Sequence, residues 1–264
     1  KKKRIDALIF EKEPEIGGLC RSKKIGGFTF DYCGHLLHFR KPYALKLVNN
    51  LLNKKLIEHK RDAWIYSFKQ YIPYPFQANF HYLPEAVRKE CLAGFLKAQS
   101  RKGKRIVKNI NFSDWIYGNF GQGIARYFMI PYNTKFWTVD PRELTSEWSG
   151  NFIPVPDIKQ LTKGELDGNG AKYGYNHKFW YPNAGGINSL VLSLAQGLKN
   201  ICNDCKAISI DLDKKTVRLS SGVKEKFDIL ISTIPMPELP NLISNLPKRI
   251  ESCIGLLKWN SILN

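Results

Sequence analysis

The sequence has no apolar run approaching the ~20 residues that span a bilayer, which excludes a membrane-crossing helix. No signal-peptide pattern precedes its first strand, so the expected location is cytoplasmic. There is no internal repeat and no low-complexity linker. Six cysteines supply a single close pair, Cys202-Asn-Asp-Cys205. A zinc ribbon needs a second such pair or paired histidines, and neither is present, so no metal site is expected. The pair runs into a strand instead of opening a helix after one, which argues against a redox motif. The cysteines therefore read as scattered, reduced thiols. Acids are scarce as well, with 23 Asp and Glu against 41 Lys and Arg, for a net charge of +18. Such an excess suggests a nucleic-acid partner. Yet the clusters KKKR (1–4), KKLIEHKR (54–61) and RKGKR (101–105) sit at a terminus or at predicted helix ends. No helix-turn-helix, zinc finger or RNA-stacking motif accompanies them. No specific nucleic acid is expected, and the field suits an anionic cofactor or small-molecule substrate.

What is present is apolar and aromatic. Hydrophobic residues make up 43% of the 264 residues, with fifteen Phe, twelve Tyr and six Trp, enough for one large or two moderate folded domains. Residues 5–11 and the run FDILISTI (227–234) read as strands buried on both faces. Ala207–Asp211 and Thr216–Leu219 flank Asp213-Lys214-Lys215 as a hairpin. Helical patterns cover roughly 42–53, 84–99, 112–129 and 186–200, the second opening with Pro84 and Glu85 as a helix start favours. The order is strand, loop, helical middle, hairpin, strand. It implies an α/β protein whose Rossmann-like nucleotide-binding domain is built from both sequence ends, 1–40 and 200–264. An α+β domain, 41–199, is inserted between them.

The opening strand ends on Glu11. In a dinucleotide-binding βαβ unit, the acid that holds the ribose hydroxyls ends the second strand, about 20 residues beyond a glycine-rich turn. No G-x-G-x-x-G turn precedes Glu11 here, so one is expected upstream of Lys1. After Glu11 come two glycine pairs. Gly17-Gly18 permits close backbone approach to a cofactor, and Arg21 and Ser22 have the chemistry to reach phosphate oxygens.

The pattern E-K-x-x-x-x-G-G-x-x-x-S at Glu11–Ser22, then G-F-x-F-D-x-x-G-H at Gly27–His35, resembles the flavin-binding opening of the amine oxidase superfamily. That group includes monoamine oxidases, protoporphyrinogen oxidases and UDP-galactopyranose mutases. The segments IPYPFQANFHYLP (72–84), FSDWIYGNFGQGIARYFMIPYNTKFWTVDPREL (112–144) and FWYPNAGGINSL (179–190) are most similar to the mutase branch, especially its eukaryotic-type members. VRLSSG…FDILISTIPMPEL resembles the second flavin-binding segment of the superfamily. The resemblance implies flavin-linked segments beyond both ends of the chain, which is expected to be truncated at each.

It also implies an FAD-dependent enzyme, with NADPH or NADH as candidate reductant, acting on a nucleotide-sugar-like substrate. In such mutases the reduced flavin is the covalent catalyst, and the protein binds, orients and stabilises charge. By the same resemblance, His35 lies against the flavin. Glu11, Gly17, Gly18, Arg21, Ser22, Gly34, Ala207, Thr233 and Pro235 bind the cofactor. Tyr74, Gln77, Asn133, Trp137, Tyr175 and Asn176 bind substrate, and Trp148 reads as core. Two alternatives stay open. One is an amine or protoporphyrinogen oxidase-type oxidoreductase, and the other is a non-catalytic basic binding module on the same scaffold.

The chain departs from the mutase pattern where that branch clamps a diphosphate with arginines. It reads Trp148-Ser-Gly-Asn-Phe152 at one such place, and FWYPNAGG carries no arginine at another. Losing one charge-assisted contact to a buried anion costs roughly 1.5–3 kcal/mol. Lys135, Lys159 and Lys178 are the nearby cations, as point charges in place of forks.

Overall fold

The computed structural model describes residues 7–79, 82–101, 110–158 and 178–262. Strand β1 (Ile9–Phe10) precedes β2 (Ser22–Ile25), β3 (Phe28–Asp31), helix α1 (Pro42–Leu51), β4 (Leu56–Lys60), β5 (Trp64–Ser67) and β6 (Gln70–Pro73). Helices α2 (Phe76–Asn79), α3 (Glu85–Ser100), α4 (Phe112–Ile124) and α5 (Ile130–Trp137) follow. Then come β7 (Lys178–Pro182), α6 (Asn188–Ala195), β8 (Ile201–Cys202), β9 (Ala207–Asp211), β10 (Thr216–Leu219), β11 (Lys224–Lys226) and α7 (Lys248–Gly255). By contacts the chain falls into two compact units. The first holds residues up to His35, Phe39–Ile57 and Tyr181 onward; the second holds Leu36–His38 and Glu58–Trp180. No described helix is long and apolar enough to cross a membrane.

In the first unit β1 pairs in parallel with β8, matching Ile9 to Ile201 and Phe10 to Cys202. The β2–β3 hairpin turns on Gly26 and Gly27, both at positive φ (56° and 83°), a turn that only glycine enters without strain. The expected hairpin forms as β9 and β10, which pair antiparallel and are extended by β11. Asp211 Oδ1 closes its turn by accepting the amides of Asp213 and Lys214 at 3.1 and 2.9 Å. Ile210, Val217, Leu219 and Ile243 form the small core beneath. Helices α1 and α6 also pack together here, although both were expected in the segment 41–199.

Three expectations need correction in this unit. FDILISTI is not a strand: Ile229 and Ile231 are 82% and 85% exposed. A strand is stabilised by its neighbours, and no described strand lies alongside this run to pair with it. Among the described residues of the opening strand a ladder forms only over Ile9–Phe10, with Leu8 and Ile9 exposed instead of buried on both faces; residues 5 and 6 lie outside the described residues. Cys202 and Cys205, expected as free thiols, are joined as a disulfide.

The second unit has the larger core. Ile72, Phe76, Leu83, Cys91, Phe95, Phe112, Ile116, Phe120, Ile124, Ala125, Phe128 and Met129 bury one another, each large side chain contributing roughly 1.5–3 kcal/mol. Asn111 starts α4 by accepting the Asp114 amide at 2.8 Å and donating to its carboxylate at 2.9 Å. Helices α3 and α4 touch backbone to backbone. A Cβ on Gly121 would lie 2.1 Å from the Gly94 carbonyl oxygen, and one on Gly123 would lie 2.7 Å from the Cys91 backbone. Gly121 is also at φ 73°, where α4 kinks. Burial pushes the Cys91 thiol at this contact up to about 12, with Glu90 adding to the shift.

Candidate functional site

The kink at Gly121 and the proline at 131 shape the wall of a cleft in the second unit. Pro131 has no amide hydrogen to continue the helical ladder, and the chain passes through a π turn, Ala125–Met129, closed by the Ile130 amide on the Ala125 carbonyl. Beyond it two rows of side chains run at helical spacing. Phe128, Tyr132 and Phe136 stack in sequence, with centroids 4.9 and 6.0 Å apart. Met129, Asn133 and Trp137 form the second row, and Asn133 donates its amide to the Met129 carbonyl at 2.7 Å. Together with Tyr74, Gln77, Trp148 and Ile153, these rows line a cleft of about 140 Å³.

Its polar equipment is small and specific. Gln77, buried on α2, donates its amide nitrogen to the Pro154 carbonyl at 3.2 Å. With both amide nitrogens engaged by backbone, the carbonyl oxygens of Gln77 and Asn133 have no hydrogen bond among the described residues and are left as acceptors. Tyr74 and Tyr132 add hydroxyls. Burial lifts the Tyr132 phenol above its ordinary value; Tyr74 adds to that and Arg61 opposes it. Arg61 stacks over the Tyr74 ring at 4.5 Å, a guanidinium against one of the lining residues. No cationic side chain lines the cleft among the described residues.

The first unit holds a different kind of site. Glu11 follows β1; its amide bonds to the Cys202 carbonyl, and one carboxylate oxygen accepts the Glu13 amide at 3.0 Å. Gly17 and Gly18, at φ 117° and 53°, lead into a short turn, and nothing lies within 4 Å of a Cβ built on Gly18. Arg21 caps this turn by donating Nε to the Gly18 carbonyl at 3.1 Å, with its guanidinium 5.2 Å from the Tyr32 ring. The Ser22 hydroxyl donates to Asp31 at 2.6 Å. His35 Nδ1 is buried and finds no hydrogen-bond partner among the described residues.

Comparison with known proteins joins these observations. The profile of the family described as flavin containing amine oxidoreductase matches residues 1–264. The chain belongs to that family. A crystal structure of reduced UDP-galactopyranose mutase superposes with a TM-score of 0.84 at 29% identity, over 94% of this chain and 54% of that one. A protein assigned as a protoporphyrinogen oxidase, from Exiguobacterium sp., matches at TM-score 0.64 and 17% identity, covering 92% and 57%. Cyclohexylamine oxidase from Brevibacterium oxydans matches at 0.57 and 14%, covering 94% and 57%. The last two show the fold alone, a mixed α/β flavoprotein fold of Rossmann type. The chain spans little more than half the length of each of these structures.

For a member of a flavin family, the first unit can be tested for fit. The open space at Gly18, and the second oxygen of Glu11 and the His35 nitrogen, neither of which has a hydrogen bond among the described residues, are features that a dinucleotide cofactor would complete. Gly34 precedes His35 in the same loop. Ala207 lies in β9, and Thr233 and Pro235 lie in the exposed segment before the turn Met236–Asn241. Ser22 is committed to Asp31, so it offers a cofactor only its remaining acceptor capacity.

In the second unit, Tyr74, Gln77, Asn133 and Trp137 come together in one cleft, whereas Tyr175, Asn176 and Lys159 lie outside the described residues. Sequence reading missed Phe128, Met129, Tyr132, Phe136 and Ile153 as lining residues, and assigned Trp148 to the core alone. Trp148 does pack on Phe112 at 4.8 Å, but it also meets Trp137 at 5.6 Å on the cleft wall. The available signal was the four-residue spacing of 128, 132 and 136. Lys178, one of the cations near the absent arginines, is bound to Glu58 at 3.0 Å, and Phe152 is half exposed.

Proposed function

We propose that the chain serves an FAD-dependent enzyme resembling UDP-galactopyranose mutase, acting on a nucleotide-sugar-like, anionic small molecule. The observation that carries this reading is the cleft, where six aromatic side chains surround two amide carbonyls left as acceptors. Flat walls take a flat ring by stacking, and two fixed acceptors select one that presents N–H donors, as a nucleobase does. When bound, the flavin supplies the redox and nucleophilic chemistry, with NADPH or NADH as reductant. Glu11 would accept the ribose hydroxyls, Gly17 and Gly18 would admit the backbone close to the phosphates, and His35 would complete its hydrogen bonding on the cofactor. Tyr74, Gln77, Asn133 and Trp137 would hold the base and keep water from it.

A second reading has one specific observation in its favour. A cleft with aromatic walls and no lining cation among the described residues attracts a cationic substrate as well as a base, as an amine oxidase requires. The experiment is a reaction assay on the flavin-loaded, full-length protein. Isomerisation of a UDP-sugar by the reduced protein without net oxygen consumption supports the mutase reading. Amine turnover coupled to peroxide supports the second, and a purified protein without flavin absorbance overturns both.

A further inference from the structure

One buried acid has no part in the function proposed above. Asp31 ends β3 with its side chain 9% exposed. Its Oδ1 accepts the Ser22 hydroxyl at 2.6 Å and the Ile187 amide at 3.3 Å. Its Oδ2 accepts the Tyr181 hydroxyl and lies 3.8 Å from His35 Nδ1. Ser22 Oγ in turn accepts the Asn188 amide at 3.2 Å, across 166 positions of sequence. Ser22, Ile187 and Tyr181 are donors, which an acceptor-only carboxylate satisfies, whereas His35 Nδ1 stands near it without a hydrogen bond. Burial, with the bond to Asp31 adding to it, pushes the Tyr181 phenol far above its ordinary value, so it remains a donor at any physiological pH.

The backbone packs closely against this carboxylate. Gly186 is at φ 66°, and a Cβ there would lie 2.3 Å from Ser22 Oγ and 2.7 Å from Asp31 Oδ1. On the next turn of α6, Val191 backs onto Gly17, where a Cβ would sit 3.2 Å from its methyl. The glycine turn is thus held on two sides, through Ser22 at its end and through α6 behind it.

We infer that Asp31 is the positioning residue of the cradle: its carboxylate fixes the Gly17–Ser22 turn and the first turn of α6 in one geometry. The identity of the ligand so positioned rests on the flavin reading; the clamp itself does not. Asp31→Asn keeps an acceptor oxygen toward Ser22 and Ile187, and the Tyr181 hydroxyl can rotate to accept from the new amide. Asp31→Ala removes all of these bonds. Gly186→Ala disrupts the same clamp by displacing Ser22 while removing no polar group from it.

The test measures FAD affinity by flavin fluorescence, and amide hydrogen exchange over residues 17–22 and 187–191, in the full-length protein and these three variants. Asp31→Ala and Gly186→Ala are expected to weaken FAD by about tenfold or more, since a single lost charged hydrogen bond suffices for that. Both should speed exchange in the two segments while the second unit keeps its protection. Asp31→Asn should restore both readouts to within about threefold of the parent, a difference smaller than one neutral hydrogen bond. Folded Asp31→Ala with parental exchange in both segments, or with parental FAD affinity, overturns the inference. If Asp31→Ala does not fold, Gly186→Ala decides by the same two readouts. A parent protein that binds no FAD defeats the flavin reading, and the exchange data alone then judge the clamp.

Discussion

The cleft of the second unit and the cradle of the first are held open by different means. Twelve buried residues support the cleft, and Phe128 and Met129 belong to both the core and its wall. The first unit has a core of four, with Ile229 and Ile231 exposed, and the cradle takes its shape from glycine turns and hydrogen bonds between distant segments. Side-chain packing spreads a perturbation over many small contacts. A hydrogen-bonded turn concentrates it on a few groups whose loss is felt singly. Substitutions that separate packing from ligand contact therefore test the contrast directly.

The largest effect should come from the tightest contact of the second unit. Gly121→Ala drives a methyl to 2.1 Å from the Gly94 carbonyl at a φ that disfavours side chains. A loss on the order of 3 kcal/mol is expected, read as a fall in the urea midpoint. A midpoint unchanged from the parent would mean that α3 and α4 can separate at no cost. The same contact carries a pH signature. Because the Cys91 thiol is raised from 9.0 to about 12, its contribution to stability is present below pH 9 and lost as pH rises toward 12. Cys91→Ser should flatten stability over that alkaline window; a curve identical to the parent's would remove Cys91 as its source.

The cradle should respond in affinity more than in stability. Glu11→Ala removes the acceptor proposed for the ribose hydroxyls, worth about 1.5–3 kcal/mol for a charged acceptor, or roughly 10–100-fold in FAD binding. The apo melting temperature should change little, since the Glu11 side chain makes one local hydrogen bond, to the Glu13 amide. Equal affinity in variant and parent sinks the assignment. In the cleft, Trp137→Ala should weaken uridine diphosphate by about 1–3 kcal/mol if a base stacks there. An unaltered dissociation constant would leave Trp137 as part of the wall without ligand contact.

The same contrast explains what was legible in the sequence. Helices α1, α3 and α4 and the β9–β10 hairpin rest on local signals: the four-residue period, Pro42 at a helix start, and Asp211 closing a turn. FDILISTI was misread because strand formation depends on partners that composition does not report. Tyr74, Gln77, Asn133 and Trp137 were picked out by likeness to a known branch, and they do converge. Tyr132 and Phe136 follow the same helical period and were within reach of the sequence. The Ser22–Asp31–Tyr181 contacts were not, because they join positions 9 and 150 residues apart with no local pattern.

The smallest effect concerns how a diphosphate would be held. By the resemblance drawn from the sequence, Phe152 and the arginine-free FWYPNAGG segment fall where the mutase branch would have guanidinium groups, and no described cation lines the cleft. Uridine diphosphate should therefore bind at least about tenfold more weakly than to an arginine-bearing mutase of that branch, a deficit of ~1.4 kcal/mol. Arg61 and the surplus of lysines pull the other way. Arg61 is stacked on Tyr74, and the net charge of +18 attracts anions without a fork. Attraction of that kind fades with salt, because the Debye length falls to about 8 Å at physiological ionic strength, whereas a buried bidentate clamp is screened far less. Titrating uridine diphosphate into the reduced protein at low and at physiological ionic strength should thus show weak, salt-steep binding, weakened further by Arg61→Ala. Tight binding indifferent to salt would place a clamp among residues outside the cleft's described lining, and the mutase reading would gain the contact it now lacks.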